Sequence, residues 1–416
     1  MTEAFHAVLA ASERERQDLF IGTGNRLGTA EQNIEKDFWV CWTLDALFNE
    51  LDAGGPRLLF KGGTSLSKGY GLIERFSEDI DITVFREDIG QAATVQELEA
   101  LSGKKRTARL DAIKTACQEY IHGPMSEQIS DLLQRALKTA NLSANRARVE
   151  ADPDDPDRQS LLLWYPTATA EGNAYIRRAI KIESGAKSAL DPNSPLTIRP
   201  YIADDLLRLD LTVGNVTTVD PSRTFWDKVV ILHGLRRWWD HRGELKGGGQ
   251  RVSRHYYDVY RLLASEIGRK AMTDAAMAED CVRHARMFFN RRDFDLLSAV
   301  PGSFALTPHD GMFAELRRDY VAMSGMIFGR LPTVDQVVEA ISELEYLQPH
   351  RSPLMRSMGR RSSAFRELFP HCSPPIISGA SLGSAGAARS DDALGFGGTI
   401  REHCAGENSL NRPDWY

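Results

Sequence analysis

The stretch "RLLFKGGTSLSKGYGLIERFSEDIDITVF", residues 57–85, constrains this chain more than any other. A short apolar run, "RLLF", leads into Lys61, Gly62 and Gly63, and reads as a strand that stops at glycine. Further on, Asp79, Asp81 and Thr83 alternate with Ile80, Ile82 and Val84. That period of two predicts a half-buried strand with both aspartates on one face. Between the two strands, "TSLSKGYGLIERF" predicts a helix capped by Thr64 and weakened by Gly69 and Gly71.

Two carboxylates on one face repel each other. In water-poor surroundings this costs several kcal/mol unless a cation neutralises them. Hard oxygen ligands of this kind suit Mg²⁺ or Mn²⁺, which take one or two carboxylates and complete their shell with substrate phosphates. Gly62 and Gly63 leave room for backbone amides to approach a triphosphate, and a helix N-terminus just after them favours negative charge. A lone D-x-D is more often a solvated strand face. Its coupling to G-G-T, with strand signals on both sides, gives it weight. A Walker A loop is excluded, because the sixth position counted from Gly62 is Ser67 and Gly69 follows Lys68.

With 416 residues, 42% hydrophobic and 26% charged, the chain has the composition of an ordinary globular protein with room for two or three domains. A net charge of -6 means that nucleic-acid contact needs a local basic patch. The scattered Cys41, Cys117, Cys281, Cys372 and Cys404 form no CxxC pair, so neither a zinc ribbon nor a disulfide framework is indicated. His371–Cys372 and His403–Cys404 lack ligand spacing and are read as chance pairs. Without a signal-peptide pattern or a bilayer-length apolar run, the expected location is the cytoplasm, with no membrane partner.

"EQNIEKDFWVCWTLDALFNEL" predicts an amphipathic helix. Residues 87–150 read as a charged helical insertion, and "DPDDPD" as an acidic turn. "SLLLWYP", "AYIRRAIKIESGA" and "LTIRPYIA" read as strands, and a second helical region starts at "SRTFWDKVVILHGLRRWW". The expected organisation is a helical segment at 1–57, a core at 58–218, a helical region at 219–350 that completes the site, and a disordered Ser/Ala/Gly/Pro-rich tail at 370–416.

"GGTSLSK" followed by "RFSEDIDIT" resembles motif I of the DNA-polymerase-β-like nucleotidyltransferases, and more narrowly the AbiEii/AbiGii family of nucleotidyltransferase toxins. "IEKDFWVCWTLDALF", "IKIESGAKS", "IRPYIA", "RTFWDKVVILH", "SRHYYDVYRL", "PGSFALTP" and "DYVAMSGMIFG" continue the likeness in family order, over roughly residues 30–347. The resemblance implies an α+β fold, with a nucleotidyltransferase sheet flanked by helices and followed by a helical C-terminal region. It also implies a Mg²⁺-dependent transfer of a nucleoside monophosphate from an NTP to RNA, at a tRNA 3′ end. The chain would act as the toxin of a toxin–antitoxin or abortive-infection system, beside a cognate antitoxin. A phosphotransferase and a non-catalytic nucleotide-binding toxin are the alternatives on the same scaffold.

By the same resemblance, Gly62, Gly63, Thr64 and Ser65 belong to the phosphate-facing turn, Asp79 and Asp81 hold metal, and Ser77 stands at the mouth of the site. Lys228 matches a lysine that faces the phosphates, and Asp258 an essential acid of the last motif. Asp227 stands where the family often has Glu. Glu183 is the candidate third carboxylate that accepts the proton of the attacking hydroxyl, and Lys181 on the same strand face is a candidate nucleotide-binding residue. The bland reading of that pair is an ordinary ion pair on an open sheet. Arg254 is a candidate phosphate ligand, since its guanidinium forks onto oxyanions, and Lys61 lies beside the glycines. His255 reads by default as a core or capping residue. The basic segments 104–109 and 236–251 either carry an RNA backbone or are solvated faces.

Overall fold

The computed structural model describes residues 3–145, 147–170, 177–249 and 251–347. Seven strands form one mixed sheet: β1 (Leu58–Lys61), β2 (Ile80–Val84), β3 (Arg148–Ala151), β4 (Ser160–Trp164), β5 (Ala179–Glu183), β6 (Asn193–Ile198) and β7 (Val213–Val219). Their spatial order is β3-β4-β5-β2-β1-β7-β6. β1 and β2 pair antiparallel, as a strand and its return should. β2 with β5 and β1 with β7 are parallel pairs, made by long crossovers. The helices are α1 (Glu3–Ala10), α2 (Glu13–Leu27), α3 (Glu31–Asp45), α4 (Gly62–Thr64), α5 (Val95–Glu99), α6 (Gly103–Tyr120), α7 (Ser126–Thr139), α8 (Pro221–Arg242), α9 (Ser253–Ala264), α10 (Glu266–Ala271), α11 (Ala275–Phe288), α12 (Asp310–Met323) and α13 (Val334–Leu347). This is an α+β architecture.

The apolar core falls into two large clusters. One joins α1–α3 and α6–α7 to Phe60, Ile80, Ile82, Val84, Ile180 and Ile182 of the sheet. The other is built from α8 to α13 and takes in Leu66 and Ile73, from the segment between the glycines and β2. The chemistry-bearing segment 61–81 therefore lies where the two clusters meet. A short backbone pairing fastens it from a segment far downstream in the sequence: Phe76 N–H donates to Met326 O, and Phe328 N–H donates to Glu74 O, both at 2.7 Å.

Four expectations change. α3 is not amphipathic: every residue from Gln32 to Asp45 is buried, because helices and sheet surround it. β2 is buried on both faces rather than half-buried, so the aspartate side is not open to solvent as a period-two reading expects. Thr64 is not a helix cap; the helical turn already begins at Gly62, and Thr64 Oγ1 instead donates to the backbone O of Asp79. β3 and β7 carry no clear alternation and were absent from the expected strands. The expected tail, 370–416, and part of "AYIRRAIKIESGA" lie outside the described residues.

Candidate active site

Gly62 has φ +79°, in the left-handed region that favours glycine. A β-carbon there would sit 2.0 Å from Oδ2 of Asp81, and one on Gly63 would sit 2.4 Å from Nη2 of Arg75. The glycines thus permit close approach between the turn and the side chains of the site. Ser65 Oγ donates back to Gly62 O at 2.9 Å and closes the turn. Thr64 Oγ1 is 2.8 Å from Ser77 Oγ. The turn and the segment leading into β2 are therefore one hydrogen-bonded unit.

Register builds the rest. Lys61 of β1 lies opposite Asp81 of β2, and Asp81 lies opposite Glu183 of β5. Cross-strand partners share a face, so one row runs Lys61–Asp81–Glu183 across three strands. Asp79 stands two residues before Asp81 and on the same side. Among these acids Asp81 is the strained one. Burial, then the nearby Glu183, push its carboxyl up to about 7, against the pull of Lys61. Its Oδ1 is buried and meets no hydrogen-bond donor among the described residues. Burial also works against ionised Asp79, but Arg251, Lys36 and Arg254 outweigh it and hold that carboxylate below its ordinary value. Burial draws the Lys61 ammonium down, although Asp81, Glu183 and Asp227 favour its charge.

Glu183 and Lys181 do form an ion pair, at 2.6 Å, but not on an open sheet. The Lys181 side chain is 9% exposed and also lies 3.2 Å from Asp152 of the acidic turn. Ion pairing and membership of the acidic row coexist here.

The two distant candidates come together in a second cluster. Lys228 of α8 lies 3.0 Å from Asp258 of α9, with both side chains buried. Arg75 completes the cluster: its Nε and Nη2 donate to the two oxygens of Asp258, each at 2.8 Å. Burial disfavours an ionised Asp258, yet Arg75 and Lys228 outweigh it and hold the carboxyl well below the usual range. Beside them, burial and Lys228 keep His255 neutral, so the default core reading of that residue stands. Arg254 lies by Asp79 and Asp81, whose charge it stabilises. Lys228, Asp227, Lys61 and Gly62 line an adjoining cavity whose apolar wall includes Ile231 and Phe289.

Three participants were missed from the sequence. Arg75 had a readable signal: Arg75, Ser77, Asp79 and Asp81 continue one alternation upstream of the strand. Arg251 reaches Glu78 at 2.7 Å and Asp79 at 3.2 Å. Lys36 of α3 holds the other oxygen of Glu78 at 2.7 Å, fully inside the protein. No local pattern foretells these contacts. Elsewhere in the segments considered for RNA, arginines are engaged within the protein. Arg236 and Arg237 meet Asp240, Arg242 meets Asp293, and Arg106 and Arg109 donate to backbone carbonyls.

The residues fit a divalent cation in a limited way. Asp81 offers a buried oxygen without a donor, and Asp79 stands beside it in ionised form. Among the described residues no three His, Cys, Asp or Glu side chains converge as a ready-made metal site. An ion held here would draw the remaining ligands from phosphate oxygens and water, as Mg²⁺ does.

Paired aspartates beside a glycine turn, on a mixed sheet, suit the binding of a divalent cation and phosphate. The family described as "Nucleotidyl transferase AbiEii toxin, Type IV TA system" matches residues 45–340. The chain belongs to this family of nucleotidyltransferase toxins, and with it come a nucleotide substrate and an antitoxin. Among solved structures, MenT4, a nucleotidyltransferase toxin from Mycobacterium tuberculosis H37Rv, aligns at 14% identity with a TM-score of 0.42, over 84% of this chain and 98% of that one. No curated protein matches the chain. Among the described residues no helix is long and apolar enough to cross a membrane.

Proposed function

We propose that the chain transfers a nucleoside monophosphate from an NTP to a hydroxyl of RNA, at a tRNA 3′ end, with Mg²⁺ or Mn²⁺ held by Asp79 and Asp81, in the cytoplasm. The observation that carries this reading is the row Lys61–Asp81–Glu183 beside the Gly62 turn, with one oxygen of Asp81 left without a donor. When bound, the divalent ion neutralises phosphate charge and favours in-line displacement.

The chain's own groups do the rest. Backbone amides of Gly62, Gly63 and Thr64 and the hydroxyl of Ser77 hold the phosphates at the turn, which Ser65 braces through Gly62 O. Lys61, Lys228 and Arg254 supply positive charge around the triphosphate. Glu183, in register with Asp81 and oriented by Lys181, takes the proton of the acceptor hydroxyl. A bond then forms between that oxygen and the α-phosphorus, the bond to the bridging oxygen breaks, and pyrophosphate leaves. Asp258 serves as a positioning residue that fixes Lys228 and Arg75 against the turn. The RNA acceptor rests on the family likeness alone.

Label tracing separates the possibilities. RNA incubated with protein and α-³²P-NTP is expected to become labelled, and Asp79→Ala or Asp81→Ala to abolish both labelling and growth inhibition. Label arriving only from γ-³²P-NTP would show a phosphotransferase. Full growth inhibition by either variant would show a toxin that acts by binding alone.

A further inference from the structure

Arg251 lies against Asp79, one of the two acids proposed above to hold the cation. Its Nη1 lies 3.2 Å from Oδ2 of Asp79 and its Nη2 lies 2.7 Å from Glu78. Its backbone is fixed independently of that side chain: Arg251 N–H donates to Asp319 Oδ1 at 2.7 Å, and Ser253 N–H donates to Asp319 Oδ2 at 2.6 Å. The residue has φ +62°, which an arginine rarely adopts and which surrounding contacts must hold in place. Its side chain is 35% exposed, so it reaches the acids from the mouth of the site. Arg75, Ser77 and Arg254 line the same small cavity.

The two acids differ in what they retain without Arg251. Glu78 keeps the buried ammonium of Lys36 at 2.7 Å. Asp79 loses its direct guanidinium partner, the first of the cations that hold it ionised. The guanidinium can therefore leave Glu78 at modest cost, and at Asp79 a divalent cation can replace it. A triphosphate arriving with that cation offers the departing guanidinium the oxyanions it prefers.

We infer that Arg251 is a clamp that holds Asp79 in the free protein and passes to the substrate's triphosphate when nucleotide and metal bind. It thus acts first as a competitor of the cation and then as a phosphate ligand. This inference rests on the metal-holding role of Asp79 and Asp81 proposed above.

The test uses the full chain and Mn²⁺ as the probe, read by the electron paramagnetic resonance of free Mn²⁺ without nucleotide. Arg251→Ala is expected to bind Mn²⁺ about tenfold more tightly than the wild type, the scale of one lost charged contact. With Mn²⁺ present, the same variant is expected to bind labelled NTP about tenfold more weakly, each of the four NTPs being tried in turn. Arg251→Lys, which keeps the charge but not the fork, is expected to fall between. Thermal melts check that the variants fold, as the Asp319 contacts to backbone predict. Equal Mn²⁺ affinity in wild type and Arg251→Ala, with binding abolished by Asp81→Asn in both, overturns the clamp alone. Mn²⁺ binding that ignores Asp81→Asn overturns the clamp together with the metal reading beneath it.

Discussion

Two buried charge clusters abut the glycine turn, one at Gly62 and the other at Gly63, and they are balanced differently. Around Asp258 one carboxylate faces two cations: Arg75 forks onto it and Lys228 closes the remaining side. Around Asp81 three carboxylates gather: Glu183 stands in register and Asp79 lies two residues away, and although Lys61 faces Asp81, one Asp81 oxygen has no donor among the described residues. Burial penalises both aspartates. In the first case the neighbours overcome the penalty; in the second Glu183 and Asp79 add to it, and Lys61 and Arg254 offset it only in part. The contrast teaches which cluster is complete and which is prepared for something to arrive. A complete buried ion cluster fixes geometry, whereas an unbalanced acidic one costs stability until a cation enters.

The sharpest way to break this comparison is to neutralise each aspartate in turn. Asp258→Asn leaves Arg75 and Lys228 buried without their counter-charge. It is expected to lower stability by about 3–5 kcal/mol, measured by urea unfolding. A loss below about 1 kcal/mol would mean that the cluster is hydrated and does not fix the helices. Asp81→Asn, by contrast, is expected to leave the protein as stable or more stable at neutral pH, while transfer is abolished.

A smaller effect probes the seam between the clusters. Gly62→Ala places a methyl group against Asp81 Oδ2 and forces a side chain into the left-handed region. We expect a loss of about 1–3 kcal/mol in stability, and a fall in transfer rate with it. Wild-type rates in Gly62→Ala would show that the turn has room the structure does not give it.

The smallest effect is in the pH profile, and its sign differs between the clusters. The Asp81 carboxyl is raised in the folded state to about 7, above its unfolded value of about 3.9. The folded state then holds the extra proton, so this residue makes stability fall as pH rises from about 4 to about 7. Asp258 is depressed, so its contribution is present above about pH 4 and is lost as pH falls below it. Asp81→Asn should flatten the profile between pH 4 and 7 by about 1–2 kcal/mol and leave the acid limb unchanged. An unchanged profile in Asp81→Asn would show that Asp81 titrates as an ordinary exposed carboxylate.

Much of the fold was legible because its signals are local. β1, β2, β4 and β5 appear as apolar or alternating runs bounded by glycine or polar turns, and residues 87–150 carry the expected helices. β7, "VGNVTTV", was not legible, because its strand character comes from lying between β1 and β6 rather than from its own alternation. α3 was read with the right start and the wrong surroundings: its last expected turn, Ala46–Glu50, is π-helical, and periodicity does not report what packs on the polar side.

The sequence by itself determined the paired aspartates on one strand face, the glycine turn before them, and the lysine and aspartate of α8 and α9 as separate candidates. The first two follow from spacing within a few residues, where backbone geometry decides which side chains are neighbours; the lysine and the aspartate follow from the family resemblance. Only the tertiary structure decided that Glu183 stands beside Asp81, that Arg75 grips Asp258 across 183 residues, and that Arg251 reaches back to Asp79 across 172. These contacts are set by strand order and by packing of the two core clusters, and charge pairing over such separations leaves no periodic trace in a single chain.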